Sequence, residues 1–172
     1  MEVQYFMNIF DYVMESTNIE FHTPEELLKW MNQNIRYNEF TKLKSPEEVF
    51  TSKSGSCHDQ VMFEMYCLRK MGLTPKAEFF IEYHPHKTQG GMTHSFVYYK
   101  KDGKVCWFEH AWGGMEGIHV FKSLGTIKKY IREKHKRGDF GNFKAYPIIR
   151  FKAMGSHVPG ESLGEFVNKV LN

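Results

Sequence analysis

The chain has 172 residues, of which 41% are hydrophobic, 16% aromatic and 25% charged, with a formal net charge of +3. This length suits a single domain over residues 1–172, and the composition favours a compact core with strands rather than a disordered or fibrous chain. The small net charge does not favour a polyanionic partner. A lysine-rich stretch, 128–137, follows a helical pattern and is interpreted as a solvated helix face. The alternative is a surface for nucleic acid or membrane, but neither is expected because no nucleic-acid-binding motif accompanies it.

The sequence carries no signal for export or membrane insertion. The first apolar stretch, 5–14, is interrupted by Asn8 and Asp11 and lacks a small-residue cleavage site. No run of about 18 apolar residues is present, so no membrane span is expected. Three cysteines, an odd number, argue against a disulfide framework. Cys57 and Cys67 lie about 15 Å apart on one predicted helix, too far for a disulfide, so a reducing cytoplasm is the expected location.

The N-terminal third of the chain is predicted to be helical. Apolar residues recur at helical spacing over 2–16, which predicts an amphipathic helix. Thr23-Pro24, followed by two glutamates, supplies a cap, a proline at the first helical position and acids in the first turn, and predicts a helix to about Arg36. Ser45-Pro46 repeats this signal for a short helix that ends near Phe50.

A change of pattern beyond Pro75 predicts strands after the helices. A Ser/Gly-rich loop, 51–56, precedes a predicted helix over 57–71 that Gly72 closes. Aromatic and β-branched residues then predict strands, and Asp102-Gly103 predicts a two-residue hairpin turn. The later predicted elements are strands over 77–83, 93–100, 104–109 and 144–152, a helix over 123–137 and a short C-terminal helix. Helices first and antiparallel strands later predict the α+β class.

Cys57 is the candidate nucleophile. A cysteine that opens a helix directly after a Gly/Ser loop lies where the helix-start amides and the helix dipole favour negative charge. Both lower the pKa of a thiol, and the same amides can hold a developing oxyanion. A lone cysteine at such a position is more often a small buried hydrophobe, which is the interpretation given to Cys67 and Cys106. The chemical hypothesis therefore depends on finding a base.

His94 is the candidate base and Glu109 the candidate group that orients it. A thiolate nucleophile needs a base, and the base needs a partner that fixes its ring. If Asp102-Gly103 forms a two-residue turn, paired residue numbers in the hairpin sum to 205. His94 and Glu109 are then diagonal neighbours on one face of the sheet, and His110 lies on the opposite, core face.

Three motifs in this order resemble the transglutaminase-like superfamily. Gly55-Ser56-Cys57-His58-Asp59 resembles its Gly-x-Cys-x-Asp helix start, and His94-Ser95-Phe96-Val97 its histidine strand. Trp107-Phe108-Glu109 resembles its Trp-x-x-Asp strand, with Glu109 where aspartate is usual, and the loop 83–92 is longer than a simple hairpin needs. The resemblance covers about residues 24–112.

The resemblance implies a papain-like α+β fold in which a nucleophile helix packs on an antiparallel sheet. It also implies acyl transfer on a peptide or protein amide through a thioester, without cofactor or metal, by Cys57, His94 and Glu109. Hydrolysis by a peptidase or deamidase is the expected outcome, because water needs no second binding site. The alternatives are glutamine cross-linking and an inactive binding module of the same fold. A second oxyanion donor is expected from Trp30, Tyr37 or Asn38.

Zinc binding is the rival chemistry for these residues. The potential ligands are numerous, namely Cys57, His58, His84, His86, His94, His110 and His119. Their spacing contains no C-x2-C pair and no metalloprotease pattern, so a metal site is not predicted.

Overall fold

The computed structural model describes residues 9–39, 41–83, 92–136 and 148–172. Within these ranges the chain forms six α-helices and seven β-strands. The helices are α1 (Ile9–Ser16), α2 (Pro24–Asn34), α3 (Pro46–Ser52), α4 (Cys57–Lys70), α5 (Leu124–Lys136) and α6 (Leu163–Leu171). The strands are β1 (Arg36–Tyr37), β2 (Ser54–Gly55), β3 (Lys76–Tyr83), β4 (Thr93–Lys101), β5 (Lys104–Glu109), β6 (Gly117–Phe121) and β7 (Ile148–Ala153). The α+β class is confirmed.

Five strands form one antiparallel sheet in the order β6-β5-β4-β3-β7, while β1 and β2 form a short parallel pair. The β4–β5 turn has φ of 51° at Asp102 and 73° at Gly103, so both residues are left-handed. A two-residue hairpin turn with this geometry matches the twist of its strands. Lys101 pairs with Lys104 and Val97 with Phe108, which confirms the predicted register.

The sheet is covered by helices on both faces. One face packs against α4 through a cluster that includes Phe79, Val97 and Phe108 of the strands and Phe63 and Leu68 of the helix. The opposite face packs against α5, where Phe80, Phe96 and Trp107 meet Ile127 and Ile131. Successive strand residues thus alternate between two cores, and both faces of the sheet are buried. This alternation decides which strand side chains are directed toward which helix.

The C-terminal ends of α2 and α3 differ from the predicted ones, and each helix is followed by a short strand, β1 or β2. α2 ends at Asn34 rather than near Arg36, because Ile35 is extended (φ −100°, ψ 130°) and the Arg36 N–H donates to the Lys53 carbonyl at 2.9 Å. α3 continues past Phe50 to Ser52, and Lys53 then turns left-handed at φ 54°. The loop predicted over 51–56 is therefore partly helix and partly the strand β2.

Some predictions lie outside the described residues, and some strands were not predicted. Residues 2–8 of the first predicted helix, most of the loop 83–92, and the beginning of the strand predicted from Lys144 fall outside the described ranges. β1, β2 and β6 were not predicted. Across the described ranges, no helix combines the length and apolarity required to cross a membrane.

Candidate active site

The position of Cys57 is set by a capping box at the start of α4. The Ser56 hydroxyl accepts from the Asp59 N–H at 3.3 Å, and the Asp59 carboxylate accepts from the Ser56 N–H at 2.9 Å and from its hydroxyl at 2.8 Å. Reciprocal bonds of this kind satisfy amides that the helix itself leaves without acceptors. Cys57 is therefore the first helical residue, and its N–H belongs to the first-turn amides that favour an anion.

Asp59 also ties the helix start to distant parts of the chain. Its Oδ1 accepts from the Lys44 N–H at 2.8 Å and lies 3.3 Å from Nε2 of His157, whose side chain is 1% exposed. Burial raises the pKa of Asp59, but the hydrogen bonds from His157, Lys44 and Ser56 outweigh it and the pKa is lowered. One ionised carboxylate thus holds together the cap, the preceding loop and the C-terminal segment.

The Cys57 thiol is buried, at 3% exposure, and interacts with two imidazoles. Burial alone raises the pKa of a thiol, because it disfavours the charged form. Electrostatic interaction and hydrogen bonding with His58 and with His94 outweigh burial and lower the pKa of Cys57 to about 6. Cys67, also buried on α4, has no such partners, and burial raises its pKa. The thiolate of Cys57 is therefore accessible near neutral pH.

His94 reaches the thiol from the start of β4. Its Nε2 donates to Glu109 Oε2 on β5 at 2.8 Å, and both side chains are buried. With Nε2 engaged by Glu109, Nδ1 is the ring nitrogen left to interact with the thiol. Burial lowers the pKa of His94, but the Glu109 carboxylate and the hydrogen bond with Cys57 raise it to about 10. Between pH of about 6 and about 10 the pair therefore favours thiolate with imidazolium.

Glu109 is itself fixed by two tryptophans. Oε2 accepts from Nε1 of Trp107 at 3.2 Å, and Oε1 accepts from the Trp112 N–H at 2.9 Å. The Trp112 ring lies 4.8 Å from the His94 ring between centroids and covers the imidazole. The glutamate therefore accepts three hydrogen bonds in a buried setting, which holds its carboxylate in one orientation for His94.

The structure confirms the predicted contact of Glu109, and not His110, with His94. His110 lies on the other face, where its Nδ1 donates to Gln60 Oε1 at 2.5 Å. Gln60 in turn donates from Nε2 to the Gly55 carbonyl at 2.9 Å. Burial lowers the pKa of His110. His110 thus braces the loop before Cys57 instead of contacting His94.

Two residues at the site were not predicted. His58 follows Cys57 on α4, and its interaction with the thiol helps to lower the pKa of Cys57. Glu64 lies seven residues after Cys57, hence on the same face of α4, and is 2% exposed. Burial and the charge of Glu109 raise the pKa of Glu64 well above its usual value, which favours the protonated form of Glu64. The i, i+7 spacing was the signal for Glu64, while no pattern distinguished His58.

Of the three upstream candidates for an oxyanion donor, Tyr37 is the one that interacts with Cys57. Burial and the Cys57 charge raise its pKa, and its hydroxyl donates to Glu39 Oε1 at 2.8 Å. The Asn38 N–H donates to the Gly55 carbonyl at 3.1 Å. Trp30 stacks on Phe50 at 5.4 Å within the core around α2 and α3. A second donor from this segment stays a prediction.

Metal ligation finds no support at this site. Among the residues that the structure describes, no group of three His, Cys, Asp or Glu side chains is placed to hold a metal ion. Two of the potential ligands, His84 and His86, lie outside the described ranges. His119, another potential ligand, hydrogen-bonds the Met115 carbonyl at 2.8 Å instead.

The site therefore brings together a thiol at a helix start, an imidazole on β4 and a carboxylate on β5. His94 and Glu109 are joined by a hydrogen bond, while the pKa of Cys57 is lowered and that of His94 is raised, which favours thiolate and imidazolium together. The arrangement can in principle deliver a nucleophile and a proton to one bound carbonyl group. Comparison with protein-family models and with curated proteins found no match to this chain.

Proposed function

We propose that this chain catalyses cysteine-dependent acyl transfer on a peptide or protein amide, through a thioester that water hydrolyses. A peptidase or a deamidase works in this way. The observation that carries the proposal is the buried His94–Glu109 hydrogen bond of 2.8 Å next to a thiol whose pKa is lowered to about 6. The packing of α4 on the antiparallel sheet also supports a papain-like, transglutaminase-like fold.

In the first half of the reaction, the Cys57 thiolate attacks the amide carbonyl carbon. The carbonyl oxygen becomes an oxyanion near the first-turn amides of α4, with the Cys57 N–H as the nearest donor. The His94 imidazolium then gives its Nδ1 proton to the leaving amine, the C–N bond breaks, and a thioester remains on Cys57. Glu109 keeps the ring oriented and stabilises the imidazolium.

In the second half, neutral His94 takes a proton from water as the water attacks the thioester carbonyl. Collapse of the tetrahedral intermediate breaks the C–S bond and releases a carboxylic acid and the Cys57 thiolate. The imidazolium formed at His94 then restores the starting charge pair. Replacing water with an amine in this step gives an amide product, so the same residues serve hydrolysis and cross-linking alike.

The test compares Cys57→Ala and His94→Ala with Cys67→Ala as the matched control, since Cys67 is an equally buried thiol on the same helix. Acyl-enzyme formation with an activated ester is followed by intact mass, and turnover on glutamine-containing peptides is followed by ammonia release. Cys57→Ala and His94→Ala should each abolish turnover, without additivity in the double variant. The Cys67→Ala enzyme should keep both reactions.

The outcome of the second half-reaction is read from the same peptides. Ammonia release without chain cleavage indicates a deamidase, and new amino termini indicate a peptidase. Incorporation of an added primary amine in preference to water would instead assign cross-linking. Absence of any acyl-enzyme on Cys57 would refute the proposal and leave an inactive binding module.

A further inference from the structure

The His94–Glu109 pair lies on the face of the sheet that α5 covers. Phe80 of β3 and His94 of β4 are directly paired residues of neighbouring strands, so their side chains share a face. Phe80 belongs to the core that packs against α5, and its ring lies 5.6 Å from the His94 ring between centroids. The nucleophile Cys57, in contrast, belongs to α4. The surroundings of the imidazole are therefore built largely from the α5 side.

Two aromatic residues, Phe80 and Trp112, form a wall against His94. The Trp112 ring lies 4.8 Å from the imidazole and 5.5 Å from the Phe80 ring between centroids. The Trp112 N–H also donates to Glu109 at 2.9 Å, so one residue contacts both members of the His94–Glu109 pair. This aromatic wall limits both the tilt of the imidazole and the access of water to it.

A second imidazole, His135 of α5, supports the aromatic wall from behind. Its ring is buried and lies 5.8 Å from the Phe80 ring and 5.6 Å from the Trp112 ring between centroids. Its Nδ1 lies 3.2 Å from Oε2 of Glu82, which is also buried. Glu82 follows Phe80 by two positions on β3 and therefore shares its face. His94 and His135 thus pack against the same two rings, and a carboxylate lies beside each imidazole.

We propose that His135 is a positioning residue for His94, which acts through the aromatic wall and is anchored by Glu82. This inference rests on the proposed acyl transfer and adds α5 to the parts of the fold that serve it. In that reaction the His94 ring gives a proton to the leaving amine and later takes one from water, while Nε2 keeps its hydrogen bond with Glu109. A ring that tilts away from Glu109 loses this geometry. His135 holds the wall in place and so prevents the tilt.

The aromatic wall also affects the protonation of His94. Burial lowers the pKa of His94, the Glu109 carboxylate and Cys57 raise it, and the result is about 10. A loosened wall admits water, which weakens the effect of burial and the effects of both partners. The pKa should then move back toward its ordinary value, which means downward. Loss of His135 should therefore shift the titration of His94 to lower pH.

Other titratable groups face the two imidazoles and contribute to the pH dependence. Those that interact with His94 come from α4 and β5, namely Cys57, Glu64 and Glu109. Glu82 of β3 faces His135. Burial and the charge of His94 lower the pKa of His135 to about 4, which favours a neutral ring while His94 is an imidazolium. The titration of His94 can therefore be followed above pH 7 without a contribution from His135.

The first experiment compares the wild type with His135→Gln, whose amide can still reach Glu82 but which has no ring against the wall. The ring protons of His94, identified by their loss in His94→Gln, are followed by NMR against pH. Their midpoint should fall by about half a pH unit or more, a part of the roughly one to two units that correspond to a hydrogen bond with a charged group. An unchanged midpoint in the folded variant would overturn the inference.

Turnover of the same two proteins is measured on the peptides described above. The kcat of His135→Gln should fall by about tenfold or more at nearly unchanged KM, because a misplaced reacting group costs up to about 10²-fold in rate. The alkaline limb of the rate profile should move to lower pH with the NMR midpoint. The NMR titration does not require turnover. A shifted midpoint without amide turnover would therefore remove the proposed function alone, and turnover with an unshifted midpoint would remove this inference alone.

Lys128→Gln is the matched control. Lys128 lies seven residues before His135 on the same face of α5, and its Nζ lies 2.9 Å from Oε2 of Glu78 on β3. It joins the same two elements as His135 and Glu82, but its ammonium group lies over the Phe151 ring, at 5.4 Å from the centroid. The His94 midpoint and kcat should equal those of the wild type. Equal shifts in Lys128→Gln and His135→Gln would reduce the role of His135 to the docking of α5 and would overturn the inference.

Two double variants keep the test valid if His135→Gln does not fold. Both carry Glu82→Gln, so neither leaves a buried carboxylate beside an apolar side chain. His135→Phe in this background keeps a flat ring against the aromatic wall, whereas His135→Leu does not. The first should keep the His94 midpoint of the wild type, and the second should lower it. Equal midpoints in the two double variants would show that the ring at position 135 does not act on His94, and would refute the inference.

Discussion

Glu109→Gln is the sharpest test of how the site holds its histidine. The carboxylate of Glu109 accepts three hydrogen bonds on two oxygens: His94 and Trp107 donate to Oε2, and the Trp112 N–H donates to Oε1. Glutamine offers one acceptor oxygen and one NH2 group in the same space. In either orientation, the NH2 group of glutamine faces at least one donor that the carboxylate had satisfied.

These contacts set the expected loss of stability and the expected change in the pKa of His94. A buried donor left without an acceptor costs about 1–3 kcal/mol, so the variant should unfold more easily by that amount. A hydrogen bond to a charged group contributes about 1.5–3 kcal/mol, which corresponds to roughly one to two pH units on His94. Against the effect of burial, Glu109 and Cys57 together raise the pKa of His94 to about 10, which favours the imidazolium below that pH. Without Glu109 the imidazolium should be lost at lower pH.

The assay combines turnover against pH with urea unfolding. The alkaline limb of the Glu109→Gln profile should move to lower pH, and the maximal rate should fall by about 10²-fold or more, the contribution of a positioned acid–base group. His110→Gln is the control at the neighbouring position and should leave both limbs in place. A Glu109→Gln protein with the wild-type alkaline limb and rate would refute the role assigned to the His94–Glu109 pair.

Three further predictions concern the ionisable groups of α4. Cys57 should be alkylated by iodoacetamide near pH 6 well before Cys67 and Cys106, whose pKa values burial raises, and equal labelling in peptide maps would contradict this. Asp59→Asn should lower the free energy of unfolding at pH 7 by about 1–3 kcal/mol. Because the folded pKa of Asp59 is lowered, the difference in the free energy of unfolding should shrink below about pH 4, where protonation of Asp59 removes its contribution from the wild type as well. Urea titrations at pH 7 and pH 3 measure this difference. The raised pKa of Glu64 means that its carboxyl keeps a proton in the folded state that it loses on unfolding, so the wild type should lose stability as pH rises from 5 to 8. Glutamine does not titrate, and the free energy of unfolding of Glu64→Gln should therefore rise relative to the wild type by up to about 1.4 kcal/mol per pH unit. A pH-independent difference in thermal unfolding would show that Glu64 is ionised in the fold.

The hairpin part of the site could be predicted from sequence because its geometry is local. Asp102-Gly103 determines a two-residue turn, the turn determines the register, and the register places Glu109 on the same face as His94. The start of α4 at Cys57 is local too, since Ser56 and Asp59 cap it. Short-range rules are therefore sufficient to predict the hairpin and the start of α4.

The other half depends on tertiary packing that no local pattern records. Glu64 becomes a site residue only because one face of α4 is packed on β4 of the sheet. The His58 ring lies against Phe79 of a strand and Phe166 of α6, two residues that are distant from it in sequence. β6 was not predicted, because all its positions are partly or fully exposed and none shows the alternation of a half-buried strand.

The link between Asp59 and His157 has a consequence for how the protein is made. The two residues are 98 positions apart, and Leu43 exchanges backbone hydrogen bonds with Gly160 and Glu161 beside them. During synthesis, at about 5–20 residues per second, α4 therefore leaves the ribosome several seconds before His157 does. The local capping box can therefore form first, and the bond between Asp59 and His157 is added only after His157 has emerged. A nascent or truncated chain that ends before His157 carries the Ser56–Asp59 capping box without this additional contact of Asp59.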